Sequence, residues 1–261
     1  MREDPDKVQS VERAITMLET LADAAEMGIK ELSVAMGLPK GTVHRLLSTM
    51  KDKNMVDQTA TGKYRLGFKL YELGSKMVNR LGVRKEAMPH LENLTKISGE
   101  TANLAIPDHF DVIYVERIAS LAPLRLGVDL GCRFPAYALG LGKAIMANLA
   151  PAELDEYLAD PEFQASLKPF TDNTIANIVE LRHHLEAVRK QGYAVDNEEY
   201  LRGIRCIAAP IFNYSGKVIA AIGISGATAT MTGTKIQEMI PYVKEAGRNV
   251  SRNLGYSHST I

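Results

Sequence analysis

The chain has 261 residues, 46% of them hydrophobic, and its 31 Lys and Arg balance 31 Asp and Glu. That supplies enough apolar material for two packed domains and argues against disorder. It excludes a membrane-spanning helix, because the longest apolar runs, Ile204 to Phe212 and Val218 to Ile224, are broken by Arg205 and Gly223 and fall short of the ~20 residues a bilayer requires. No secretory signal is expected in the acidic, polar start from Met1 to Lys7. Cys132 and Cys206 are too far apart for the usual zinc pairs and read as reduced thiols. A cytoplasmic protein without a cofactor or metal is therefore expected.

In chain order, Val11, Ala14, Ile15, Leu18, Leu21, Ala22 and Ala25 recur at helical spacing, which predicts a first helix capped by Ser10 and ending near Ala25. A short second helix is predicted from Lys30 to Met36, with Ile29, Leu32 and Met36 inward and Gly37 supplying the left-handed turn. The third opens at Pro39, a favoured first helical position, and turns Val43, Leu46, Leu47 and Met50 inward. Met55 to Gln58 and Lys63 to Leu66 then read as a hairpin around Thr61 and Gly62, a wing. Leu66, Leu70, Leu73, Met77 and Leu81 form a narrow apolar seam on a following helix, suited to a partner helix.

After Gly82 the pattern changes to helices alternating with strands. Helices are expected at Arg84 to Ile97, Gly142 to Leu149, Ala152 to Leu158 and Ala176 to Gln191, with a long final helix carrying Ile236, Met239, Ile240, Val243, Val250 and Leu254. Strands are expected at Thr101 to Ile106, Val112 to Ile118, Leu124 to Leu130, Tyr193 to Glu198, Ile204 to Phe212 and Val218 to Ser225. Two sets of three neighbouring strands framed by helices favour an α+β sensor sheet of the GAF-like kind. The domain reading is 1–66 for the winged helix-turn-helix, 67–82 for a linker and dimerisation helix, and 83–261 for a sensor domain.

The second and third helices have helix-turn-helix spacing: Ser33 four before the turn glycine, where the helices approach, and Val43 and Leu46 six and nine after it. The charge agrees, since residues 39 to 80 hold nine basic side chains against three acidic ones, a local +6 within a neutral chain. With one face of the third helix buried, Lys40, Gly41, Thr42, His44, Arg45, Ser48 and Thr49 face outward, toward a major groove. Arg45 suits a bidentate bond to guanine, Thr42 a phosphate or a thymine methyl, and Lys40 a phosphate. Lys63 and Arg65 on the wing would lie over the backbone or the adjacent minor groove.

Taken in order, SVERAITMLETLA, GIKELSVAMGLPKGTVHRLLSTM, YRLGFKLYELG, ALGLGKAIMA, GYAVDNEEY, IRCIAAPIF and AAIGISG resemble the IclR family of bacterial transcription regulators, from Val8 to Tyr256. The resemblance implies a repressor or activator that binds palindromic double-stranded operator DNA as a dimer or tetramer, without a membrane. It also implies a C-terminal domain that senses a small organic acid or related metabolite. The family's effector cleft is similar to a pocket built here from Gly142 at a helix start, Asp196, Cys206 and the strand ending Gly223, Ile224, Ser225, with Tyr137 and Lys143 beside it. Gly223 stands where many members carry Ser, and Tyr137 lies on the approach to the helix. These departures point away from the smallest keto acids and toward a bulkier or aromatic ligand.

Two other readings stay open on the residues alone. Cys206, with Asp196, Glu198, Glu199 and nearby histidines, would serve an enzyme with a cysteine nucleophile, although no phosphate loop, dinucleotide fingerprint or Gly-x-Ser-x-Gly accompanies it. Cys206 is equally readable as an inert packed thiol among Ile204, Ile207 and Ala208. The C-terminal domain would also serve as a protein-interaction module without a ligand. His183 and His184 are expected on the solvated side of their helix.

Overall fold

A computed structural model describes residues 8–80, 82–120 and 129–257, except the side chains of residues 75 and 77–80. The chain divides into two compact units, Met1–Arg80 and Leu81–Ile261.

The first unit contains α1 (Gln9–Ala22), α2 (Ile29–Ala35), α3 (Lys40–Asp52), β1 (Val56–Gln58), β2 (Tyr64–Leu66) and α4 (Phe68–Arg80). Met17, Leu21, Leu32, Val43, Leu47, Met50, Val56 and Tyr64 form its core. Two features of α1 differ from the sequence reading. The helix begins at Gln9, so Ser10 lies inside the first turn and gives no cap, and the helix ends at Ala22 rather than near Ala25. Its core side is Met17 and Leu21 with Ala14 and Leu18 beside them, which leaves Val11 and Ile15 55% and 52% exposed. The apolar stripe on this helix is broader than the surface that packs against it.

β1 and β2 pair antiparallel, Val56 opposite Leu66, and Met27 forms an isolated bridge with Tyr64 that ties the hairpin to the segment before α2. Along α4, Leu66 just before it and Leu70 are half-buried, while Leu73, Phe68 and Tyr71 are exposed. The Met77 side chain and Leu81, also part of the expected seam, lie outside the described residues.

The second unit contains α5 (Val83–Ser98), β3 (Thr101–Asp108), β4 (Asp111–Ile118), β5 (Arg133–Pro135), a 3-10 turn (Ala136–Ala138), α6 (Gly140–Met146), α7 (Pro151–Ala159), α8 (Pro161–Ser166), α9 (Ile178–Gln191), β6 (Ala194–Asn197), β7 (Ile204–Phe212), β8 (Val218–Ala227) and α10 (Gly233–Asn253). The strands form one antiparallel sheet in the order β5-β4-β3-β8-β7-β6. Strands β3 and β4 of the first expected set and β6, β7 and β8 of the second are thus joined through the β3 and β8 pair, in agreement with the expected α+β class. Helices α5 and α10 pack on one side of this sheet and α6 on the other.

The expected strand from Leu124 to Leu130 falls mostly on residues 121–128, outside the described residues. Strand β5 lies further on, where Phe134 and Arg133 pair with Val112 and Ile113. The loop Asn213 to Gly216 closes the β7 and β8 hairpin as expected, with Asn213 Oδ1 accepting from the backbone N–H groups of Ser215 and Lys217. Helix α8, too short for a periodic signal, starts where the Asp160 carboxylate accepts from the N–H groups of Glu162 and Phe163.

Candidate functional site

In the first unit the turn between α2 and α3 is stitched twice: Ser33 Oγ donates to the Leu38 carbonyl at 2.6 Å, and the Leu38 N–H donates to the Ser33 carbonyl at 3.1 Å. Ser33 is therefore more than a small residue at a close approach. Gly37 holds φ at 62°, the left-handed region, which glycine adopts without a Cβ clash.

This fixes α3 with Val43 and Leu47 fully buried, and Lys40, Gly41, His44, Arg45, Ser48 and Thr49 exposed on the other side. Thr42 and Leu46 are half-buried, so Leu46 borders the core instead of lying in it. Among the described residues Lys40, Arg45 and Arg65 join no ion pair, and their charges face solvent unspent. Lys63 differs, because its Nζ lies 3.5 Å from Glu26 Oε1. Lys51 is held against the wing by its bond to Gln58 Oε1 at 2.9 Å. The arrangement is a positive, rigid helix edge with a basic wing beside it, which can sit on a polyphosphate duplex.

The second unit carries a cleft whose floor follows from strand register. Asp196 pairs with Cys206, and Cys206 with Ser225, so residues far apart in the chain stand on one rung of three adjacent strands and share a face. Asn103 joins them from β3, its Nδ2 donating to Ser225 Oγ at 2.9 Å. Tyr114, Phe134 and Tyr200 form an aromatic wall, the ring of Phe134 lying edge-on to Tyr114 at 5.3 Å and to Tyr200 at 5.4 Å. The enclosed volume is about 60 Å³, and past Ile204 and Ser225 it adjoins an outer chamber of about 290 Å³. Arg117 lines both chambers and brings the cation.

Asp196 is 2% exposed, and burial pushes its carboxyl up to about 7, against the backbone N–H of Glu199, which donates to Oδ1 at 2.8 Å and favours the charged form. Near neutrality the carboxyl exchanges between acceptor and donor. Burial, reinforced by Asp196, pushes the Cys206 thiol well above its ordinary range, so it stays protonated and makes a poor nucleophile.

Four residues that the sequence reading places in the cleft serve other roles. Tyr137 is buried among Phe163 and Phe170, and its hydroxyl donates to the Lys168 carbonyl at 2.9 Å, so it belongs to the core and not to the cleft wall. Lys143 is fully buried, ion-paired to Glu199 and donating to the Val195 carbonyl at 2.8 Å, so it neutralises a carboxylate behind the cleft.

Gly142 is the third residue of α6, which begins at Gly140. A Cβ there would fall 2.1 Å from the Ala136 carbonyl oxygen, so the glycine permits close packing and is not the helix start. At Gly223 a Cβ would fall 2.2 Å from the Ile207 carbonyl oxygen, so the strand has no space for the hydroxyl whose loss the sequence suggests.

His184 also departs from expectation. It is half-buried, and burial together with the Lys143 charge lowers its imidazole to about 4. Sequence reasoning misses Asn103, Tyr114, Arg117, Phe134 and Tyr200. Asn103 alone leaves a trace, as a polar residue inside the apolar run Thr101 to Ile106.

A winged helix-turn-helix with a free cationic edge, followed by a sheet domain enclosing a small polar and aromatic cleft, defines a ligand-responsive DNA-binding regulator. Family models agree in both halves. The IclR helix-turn-helix domain matches residues 10–60, and the C-terminal domain of the bacterial transcriptional regulator IclR matches 75–252. The chain belongs to the IclR family of transcription regulators, with an N-terminal DNA-binding domain and a C-terminal effector-binding domain.

The regulator XynR of Escherichia coli K12 is 36% identical, over 95% of this chain and 98% of its own. The crystal structure of the Thermotoga maritima IclR superposes with a TM-score of 0.81 at 32% identity, over 95% of this chain and 99% of that one. An IclR homologue from Microbacterium hydrocarbonoxydans, solved with 4-hydroxybenzoate, gives 0.79 at 25% identity, over 94% and 99%. These relatives are regulators, which removes the cysteine enzyme as a reading of Cys206. Among the described residues no helix is long and apolar enough to cross a membrane.

Proposed function

We propose that the chain is a cytoplasmic, self-associating regulator, dimeric or tetrameric, that reads a palindromic operator with two copies of α3 and releases or engages it in response to a small carboxylic acid. Residues 1–66 hold DNA, 67–82 link and pair the subunits, and 83–261 sense the effector. Arg45 bonds a guanine edge, with Thr42, His44 and Ser48 beside it, and Lys40, Lys63 and Arg65 contact phosphates. The exposed apolar side chains Phe68, Tyr71 and Leu73 of α4 support self-association, since a monomer gains nothing from keeping them in water.

The observation that carries the effector assignment is the single rung of Asp196, Cys206 and Ser225 facing Arg117 and three aromatic rings. A carboxylate takes Arg117 and Asn103, a ring or flat chain lies against Tyr114, Phe134 and Tyr200, and protonated Asp196 donates the remaining bond. The small inner volume favours a compact acid, and the relative holding 4-hydroxybenzoate supports an aromatic one. Effector contacts favour one arrangement of the sensor domains and thereby one spacing of the recognition helices.

Sequencing the genomic fragments that the purified protein captures yields the operator. A thermal screen of carboxylic acids then tests the cleft, where a ligand at 100 times its dissociation constant adds about 2.7 kcal/mol. An acid that shifts wild type and Asp196→Ala equally refutes the cleft, and failure to hold any duplex at low ionic strength refutes the regulator.

A further inference from the structure

The sensor domain has a second concavity, away from the cleft and sharing no lining residue with it, where α10 crosses β7 near the ends of α6 and α9. Its volume is about 460 Å³, within the range of sites that hold small metabolites. Lys244, Arg248 and Arg252 enter from one face of α10 at spacings of four residues, and Arg189 enters from α9 on another side. Among the described residues no carboxylate lines the concavity and none of the four cations joins an ion pair.

Their hydrogen bonds go to neutral acceptors: Lys244 to the Gln191 carbonyl at 2.6 Å, Arg189 to the Leu149 carbonyl at 3.4 Å and Arg252 to Asn249 Oδ1 at 3.3 Å. Lys244 also lies 5.8 Å from the centroid of the Tyr193 ring, but among the described residues no carboxylate neutralises the four cations. Like charges four residues apart repel along a helix, and only Arg252, in the last turn of α10, is offset by the helix dipole. Beside it Phe212 and Tyr256 stack at 5.0 Å with ring planes 25° apart, a flat apolar wall at the edge of the charged floor.

We propose that this concavity is a second ligand site, for a phosphorylated metabolite carrying a planar ring, of which a nucleoside diphosphate is representative. Three guanidinium forks and an ammonium match the oxygens and charge of a diphosphate better than those of a monocarboxylate, and the ring extends the Phe212 and Tyr256 stack. The regulator then reads two signals, an organic acid in the cleft and a phosphorylated compound behind α10.

Titration calorimetry of the full chain at low ionic strength with ADP, inorganic pyrophosphate and adenosine tests this. ADP should bind most tightly, pyrophosphate next and adenosine weakest. Arg248→Ala and Arg252→Ala, both exposed and harmless to folding, should each weaken ADP roughly tenfold, and Arg189→Ala on the other helix should weaken it too. Absence of saturable ADP binding, or binding undiminished in all three variants, overturns the proposal. ADP binding that is instead lost in Arg45→Ala would place the anion on the DNA-binding face and overturn it as well.

Discussion

Replacing Asp196 by Asn isolates one buried proton. Burial raises this carboxyl from 3.8 to about 7, so the folded chain holds the proton more tightly than the unfolded chain does. The stability this proton confers is complete below the unfolded value and is lost as pH rises through the folded one. At 1.36 kcal/mol per unit, the whole window is worth on the order of 4 kcal/mol, of which about 2 kcal/mol disappears between pH 5 and 7.

Asn resembles the protonated acid and keeps an oxygen for the Glu199 N–H, but has nothing to lose at higher pH. Wild type and Asp196→Asn should therefore be similar only below about pH 4, and the variant should gain a further ~2 kcal/mol on wild type between pH 5 and pH 7, becoming the more stable. Urea unfolding followed by far-ultraviolet circular dichroism across that range measures the divergence, and taking the difference between the two proteins cancels the other titrating groups. Parallel curves would show that the Asp196 carboxyl is not raised, and the donor role assigned to it toward an acid would fall with it.

Arg45→Ala should weaken specific operator binding by roughly 1 to 3 kcal/mol and leave random-sequence binding much less affected, by electrophoretic shift. Lys63 begins from an exposed pair with Glu26, worth ~1 kcal/mol at most, so Glu26→Gln should free it and tighten binding to every duplex several-fold, more at low salt. Lys143→Met strands the buried Glu199 charge and should cost roughly 3 to 5 kcal/mol in urea unfolding; a variant within 1 kcal/mol of wild type would show the pair to be dispensable. Gly142→Ala forces a Cβ against the Ala136 backbone and should destabilise by about 1 to 3 kcal/mol, with weakened effector response because Leu139, just before α6, lines the cleft.

Chemistry contained within a short stretch of chain is legible from the residues alone. The Ser33, Gly37, Val43 pattern, the charge excess between residues 39 and 80 and the apolar runs at Ile204 and Val218 each depend on neighbours within a turn or a strand. They therefore set the helix-turn-helix, the outward side of α3 and most of the sheet. Errors of face arise where an apolar stripe is wider than its contact, as at Val11 and Ile15, since periodicity shows which residues could be buried and the partner surface decides which are.

Membership of the cleft is a matter of tertiary structure. Asp196, Cys206 and Ser225 meet because three strands pair in one register, and the pairing of β3, β4 and β5 onto them brings Asn103, Tyr114 and Phe134 to the same place from distant segments of the chain. Tyr137, Lys143, Gly142 and Gly223 are near the cleft along the chain, yet point into the core or exist to let backbones touch. A side chain's direction depends on the element that packs against it, and no spacing rule in the sequence encodes a contact between strands joined by long connections.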